Sequence, residues 1–245
     1  MAKVKNIFNI EFEEEDIQNM QSLDGVFALL YYLYYMILIF CFGLIMFNTD
    51  IYVNWGNNFI NGSMYRFIFY VPITILSILP IIFIIQFRKQ SISSLGIRKA
   101  NVVKSIFLGI LFSLPFLIPN IKNGIIYNYE FKNVEFLIWD FLYFLISIAL
   151  VEEIIFRGFI QIRIRGIIKD KWLSILIVGI MCSIMHIPFQ MMNSNLSLVE
   201  FIDMTYLIKL VIMHIYFVYI YTRDNNIIAP IVAHTIINFS KYLFI

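Results

Sequence analysis

The chain has 245 residues, 61% of them hydrophobic and only 14% charged, with a formal net charge of +2. A soluble domain is about 45–50% apolar and about 25% charged. The balance therefore excludes an ordinary soluble enzyme, offers no basic surface for nucleic acid, and describes an all-α polytopic membrane protein.

Residues 1–25 carry Lys3 and Lys5, followed by an acidic cluster of Glu11, Glu13, Glu14, Glu15 and Asp16. A cleavable signal would run from a basic start straight into a short apolar core. This stretch reads instead as an acidic, solvated or interfacial tail. Residues 26–245 form a single transmembrane domain. A helix needs about 20 apolar residues to cross the hydrocarbon core. Seven segments meet that requirement, near 26–47, 65–87, 102–119, 134–164, 172–190, 204–221 and 226–245. The third is short and contains Pro115 and Pro119, so a kinked or re-entrant helix is expected there. Cys41 and Cys182 lie inside apolar segments and are expected to be free thiols. No internal repeat is visible, which leaves an inverted-repeat transporter without support.

Basic residues set the orientation. With the N-terminus cytoplasmic, the inner segments hold Lys3, Lys5, Arg88, Lys89, Arg98, Lys99, Lys104, Arg163, Arg165, Lys169, Lys171 and Arg223. The outer segments hold Arg66, Lys122, Lys132 and Lys241, while Arg157 and Lys209 fall within spans. The excess of lysine and arginine on cytoplasmic loops makes this a multi-pass cell-membrane protein with its N-terminus inside.

Charge inside the fourth span is the strongest functional signal. Glu152, Glu153 and Arg157 interrupt FLYFLISIALVEEIIFRGFI. Each costs about 2.5–3.5 kcal/mol at mid-bilayer depth, about 7–10 kcal/mol for three, unless something offsets it. A structural ion pair accounts for one glutamate and the arginine but not for the second carboxylate. Glu153 and Arg157 are four residues apart in the favourable order for a helical ion pair. Glu152 points about 100° away and is left free for proton transfer. Glu152 and His186 lie equally far from the loop tip at Lys169–Asp170, which sets them at one depth if their helices run antiparallel. His234 and Asn238 share one face of the last span, roughly 12–20 Å in from the cytoplasmic side at 1.5 Å per residue. The four groups are expected to converge in the inner half of the membrane.

A neutral imidazole N–H and a carboxamide NH₂ form a pair of donors suited to a developing oxyanion. Polar contacts between helices are the structural alternative for His186, His234 and Asn238, and the expected role of His214. Two chemistries fit the set. In one, Glu152 and His186 activate water for attack on a peptide carbonyl, and no cofactor is required. In the other, carboxylates and imidazoles hold zinc, which nothing in the spacing forces.

Three segments resemble the signatures of a known family: EEIIFRG at 152–158, SIMHIPF around His186, and NNIIAPIVAHTIINF at 225–239. They are similar to the EExxxR, FxxxH and HxxxN/D patterns of the CPBP intramembrane proteases. That family is also called the Abi or CAAX-protease family and includes the type II CAAX prenyl endopeptidases. The resemblance covers roughly 135–240. It departs from the second pattern, where Cys182 stands in place of phenylalanine. It implies that Glu152 and His186 activate the attacking water, that His234 and Asn238 hold the oxyanion, and that Glu153 and Arg157 support them.

The expected function is an intramembrane endopeptidase acting on a membrane-associated peptide or protein from a cavity open toward the cytoplasmic half of the bilayer. Abundant Ile, Phe, Tyr, Asn and Lys suggest an AT-rich bacterial genome, where the resemblance points to bacteriocin immunity or peptide maturation rather than to prenylated substrates. The rivals are a non-proteolytic membrane binding or immunity protein using the same polar cavity, and a proton-coupled transporter.

Overall fold

A computed structural model describes residues 9–194 and 203–245. The chain forms a helix bundle with no β-strand among the described residues, only an isolated bridge between Phe131 and Phe244. The helices are α1 (Glu14–Gln18), α2 (Ser22–Asn48), α3 (Ile51–Gly56), α4 (Gly62–Phe87), α5 (Val102–Ile126), α6 (Val134–Ile164), α7 (Lys171–Ile184), α8 (His186–Ser194), α9 (Met204–Tyr221) and α10 (Ile228–Phe239).

Among the described residues, six stretches are long and apolar enough to cross a membrane: α2, α4, α5, α6, the run Lys171–Met192 through α7 into α8, and α9. Their outward faces expose Leu30, Ile37, Phe83 and Phe107, among other large apolar side chains, a surface suited to lipid rather than water. Asparagine and aspartate stand where these helices begin. Asn61 accepts from the backbone N–H groups of Ser63 and Met64, Asn133 from Glu135, Asp170 from Leu173, and Asp203 from Thr205 and Tyr206. Each satisfies donors that an apolar helix start would otherwise leave unpaired.

Two expectations about the spans change. The third is not short: α5 runs through Pro115 and Pro119 for 25 residues without ending. The seventh is not a full crossing, because α10 has 12 residues and closes in a 3-10 turn, Ser240–Tyr242. At 1.5 Å per residue it covers about 18 Å of a core about 30 Å thick.

The fourth span is a single rod of mixed register. Within α6, Tyr143–Ala149 and Ile154–Ile160 are π-helical and flank the α-helical Leu150–Glu153. Such turns are uncommon and concentrate beside functional sites. Here they bracket the glutamate pair.

The bundle has two distinct ends. At the basic end, Arg88 pairs with Asp24 (2.8 Å), Arg98 with Asp16 (2.5 Å), and Arg163 donates to the Gln90 side chain (2.6 Å). There Gly96 adopts φ 75°, and its carbonyl accepts from Ile227 N–H at 2.9 Å. A Cβ at Gly96 would sit 2.5 Å from the Tyr221 ring, so glycine answers both the backbone and the space. At the opposite end, Asp140 pairs with Arg66 (2.6 Å) and Lys132 (3.1 Å), and Asn120 donates to Ser240 (2.7 Å).

Residues 9–20 are packed, where a solvated tail was expected. Ile10, Phe12 and Met20 are buried in a cluster with Ile162, Ile175, Val218, Tyr221 and Ile227. Lys171 Nζ donates to the carbonyl of Ile10 at 2.9 Å. Two of the acidic side chains, Glu13 and Asp16, pair with Arg98. Burial raises the Asp16 carboxyl above its ordinary value, with Arg98 pulling it back and Glu13 and Glu15 adding to the rise.

Candidate active site

Glu152 lies on α6 between the two π-helical turns, partly exposed, and makes no hydrogen bond or ion pair among the described residues. It lines two adjoining cavities. The larger, about 550 Å³, also takes in Arg157, His186, His234 and Asn238. The smaller, about 170 Å³, is mostly apolar and meets the first at Glu152, His186, Gln190, Tyr143 and Ile148. The expected convergence of Glu152, His186, His234 and Asn238 therefore holds as geometry.

Glu153 lies behind the cavity wall, fully buried. Its Oε1 pairs with Arg157 at 3.2 Å, as the spacing indicated. The same oxygen receives His234 Nδ1 at 2.8 Å, a contact between α6 and α10 that helical spacing alone does not reveal. A carboxylate held beside a guanidinium only accepts, so Nδ1 carries the proton. The neutral imidazole then presents the Nε2 lone pair, not an N–H. His234 becomes a second donor toward the cavity only when doubly protonated, which revises the expectation of a neutral imidazole donor. Its ring stacks on Phe217 at 4.7 Å, and the Arg157 guanidinium lies 5.0 Å from the same ring.

His186 opens α8, where the run from α7 breaks at Met185. Its Nδ1 contacts the Cys182 carbonyl at 2.9 Å. A carbonyl cannot donate, so Nδ1 holds the proton and Nε2 is free to accept one. Cys182 thus serves His186 through its backbone, a contact that any residue at 182 provides. Its thiol is free and buried, as expected, whereas the free thiol of Cys41 is exposed on α2.

Asn238 receives Lys241 Nζ on Oδ1 at 3.4 Å. Lysine only donates, so the carboxamide oxygen faces Lys241 and the NH₂ remains for the cavity. His214 lines the larger cavity and is fully buried, with Nε2 at 3.3 Å from Gln161 Oε1. Gln161 Nε2 donates in turn to Ser174 at 3.3 Å. That buried polar contact between helices agrees with a structural His214. Sequence reasoning did not single out Tyr143, Gln190, Tyr206 or Lys241. Each is an ordinary residue type whose only signal is its place in the folded cavity. Among the described residues, no three His, Cys, Asp or Glu side chains gather closely enough to hold a metal ion, so the donor set does not form a ready zinc site.

Residues 134–240 match the family described as type II CAAX prenyl endopeptidase Rce1-like. No curated protein and no solved structure matches the chain. The family match supports a membrane endopeptidase, and it spans every group just described from Glu152 to Asn238.

Proposed function

We propose, from the match of residues 134–240 to the type II CAAX prenyl endopeptidase Rce1-like family, that the chain cleaves a peptide bond with water held between Glu152 and His186. The observation that carries this reading is the shared cavity, whose lining holds an unpaired carboxylate, an imidazole with a free Nε2, His234 and Asn238. Glu152 takes a proton from water as the oxygen attacks the carbonyl carbon. The oxyanion accepts from Asn238 Nδ2 and, in the doubly protonated state, from His234 Nε2. The proton passes to the departing amide nitrogen as the C–N bond breaks. Glu153 and Arg157 hold His234 and stay out of contact with the substrate. No metal enters these steps.

The substrate is a membrane-associated peptide or protein segment. The smaller lobe, walled by Tyr35, Phe42, Tyr70, Ile73 and Met185, suits an apolar residue beside the scissile bond. Thr74 and Ser147 lack hydrogen-bond partners there, which leaves two hydroxyls for the peptide backbone. Peptide maturation or bacteriocin immunity is the biological setting we favour. Quantitative peptidomics of membranes carrying wild type or Glu152→Gln tests the reading. The wild type should release fragments that the variant does not. Identical peptide profiles, with biological activity retained by the variant, would favour a binding protein.

A further inference from the structure

The cavity is closed toward one end of the bundle and continues to the other. Below the site, toward the basic end, lie Ile162, Ile175, Val218, Tyr221 and Ile227, each no more than 2% exposed. The N-terminal segment seals this layer with Ile10, Phe12 and Met20, and on its outer side Asp16 lies 2.5 Å from Arg98. Toward the opposite end the lining passes Gln190 and Tyr206 and reaches Arg66, Lys241 and Tyr242. Lys241 is exposed and Tyr242 is 38% exposed, so this is where the cavity meets the surroundings.

Charge tells which side that is. Ten described lysines and arginines stand at the sealed end, on segments 88–104, 163–171 and at Arg223. Four stand at the end where the cavity emerges: Arg66, Lys122, Lys132 and Lys241. The connecting loops are short, the condition under which lysine and arginine bias fixes orientation. We infer that the sealed end is cytoplasmic and that the cavity opens to the extracytoplasmic side. On this inference the cavity faces away from the cytoplasm, the reverse of what the sequence led us to expect. Its substrates are then peptide segments outside the cell or in the outer leaflet: exported peptides, or the external juxtamembrane parts of other membrane proteins. The substrate class rests on the endopeptidase reading; the direction of the cavity does not.

Single cysteines placed on a Cys41→Ser background test the direction without any substrate. Tyr129→Cys and Asn57→Cys report the end with the opening, and Ala100→Cys and Ile167→Cys the sealed end; all four positions are exposed. A membrane-impermeant maleimide added to intact cells should label 129 and 57, and should reach 100 and 167 only after permeabilisation. The reverse pattern overturns the inference. A second arm adds a quenched, apolar-rich peptide mixture to right-side-out and to inverted membrane vesicles, each with the Glu152→Gln variant as control. Cleavage confined to right-side-out vesicles supports the inference, and cleavage confined to inverted vesicles overturns it. Loss of cleavage in both would count against the protease reading, and labelling would still decide the direction.

Discussion

Replacing Glu153 with glutamine removes one negative charge and almost no volume. In the wild type its carboxylate faces Arg157 at 3.2 Å and His234 at 2.8 Å, and both Glu153 and Arg157 are at most 2% exposed. The variant leaves a buried guanidinium without a counter-charge. Breaking a buried pair in this way costs about 3–5 kcal/mol. For a chain of this size each kcal/mol lowers the melting temperature by about 2–4 °C, so the loss should be roughly 6–20 °C. Releasing His234 should also reduce kcat by about 10²–10³-fold, the usual effect of losing an oxyanion donor. Glu152→Gln provides the contrast, because Glu152 has no charge partner to abandon. It should abolish cleavage while stability stays within about 1 kcal/mol, the scale of a substitution that breaks no buried contact. Melting purified protein in detergent, followed by the fluorescence of its three tryptophans, measures both variants. Pairing Glu153→Gln with Arg157→Gln should recover part of the stability but none of the activity. Equal melting temperatures for wild type and Glu153→Gln, or equal losses for the two glutamate variants, would refute the division of labour.

Cys182→Phe restores the family's residue beside a cavity shaped around cysteine. Overpacking should cost about 1–3 kcal/mol and raise KM, while the pH profile stays unchanged because the backbone carbonyl at 182 still holds His186; a shifted profile would contradict that assignment. Gly109→Val tests the seam between α5 and α10, where a Cβ would lie 2.6 Å from the Ala229 carbonyl oxygen. Forcing the helices apart should destabilise the protein by about 1–3 kcal/mol and shift the helix carrying His234 and Asn238, with loss of cleavage. A fully active, fully stable variant would show that the two helices do not depend on close approach. Asp16 supplies a pH dependence. Its carboxyl is raised above the unfolded value of 3.8, so it favours docking of residues 9–20 fully below that value and loses this contribution as pH rises through the raised pKa. Hydrogen exchange of α1 should therefore slow as pH falls through that window, after correction for intrinsic rates. Asp16→Asn should flatten the trend, and an unaltered trend would assign it to another group.

Much of this architecture was legible in the sequence because hydropathy and helical spacing are local. Six of the seven expected spans coincide with long helices, and Glu153 meets Arg157 because four residues make nearly one turn. The parts that were not legible depend on contacts between distant segments. The 2.8 Å contact from His234 to Glu153 joins residues 81 positions apart, and it changes which imidazole nitrogen faces the cavity. The π-helical turns in α6 leave no mark on composition. The last span was overestimated because apolar sequence continues after Phe239 while the helix does not. One signal was present but outweighed: Ile10 and Phe12 alternate with acidic residues, a half-buried pattern hidden beneath the charge of the segment.

The seal at the basic end joins the first described residues to nearly the last. Ile10 and Phe12 reach Val218, Tyr221 and Ile227, and the Gly96 turn waits for Ile227 before its carbonyl is satisfied. During synthesis Arg98, Ile162, Lys171 and Ile175 are made first, and Val218, Tyr221 and Ile227 follow only with and after α9. The early segment can therefore find part of its seat on α6 and α7, but the floor of the chamber closes fully only once α9 and Ile227 are in place. A chain halted before residue 227 would carry its glutamates above an unfinished floor.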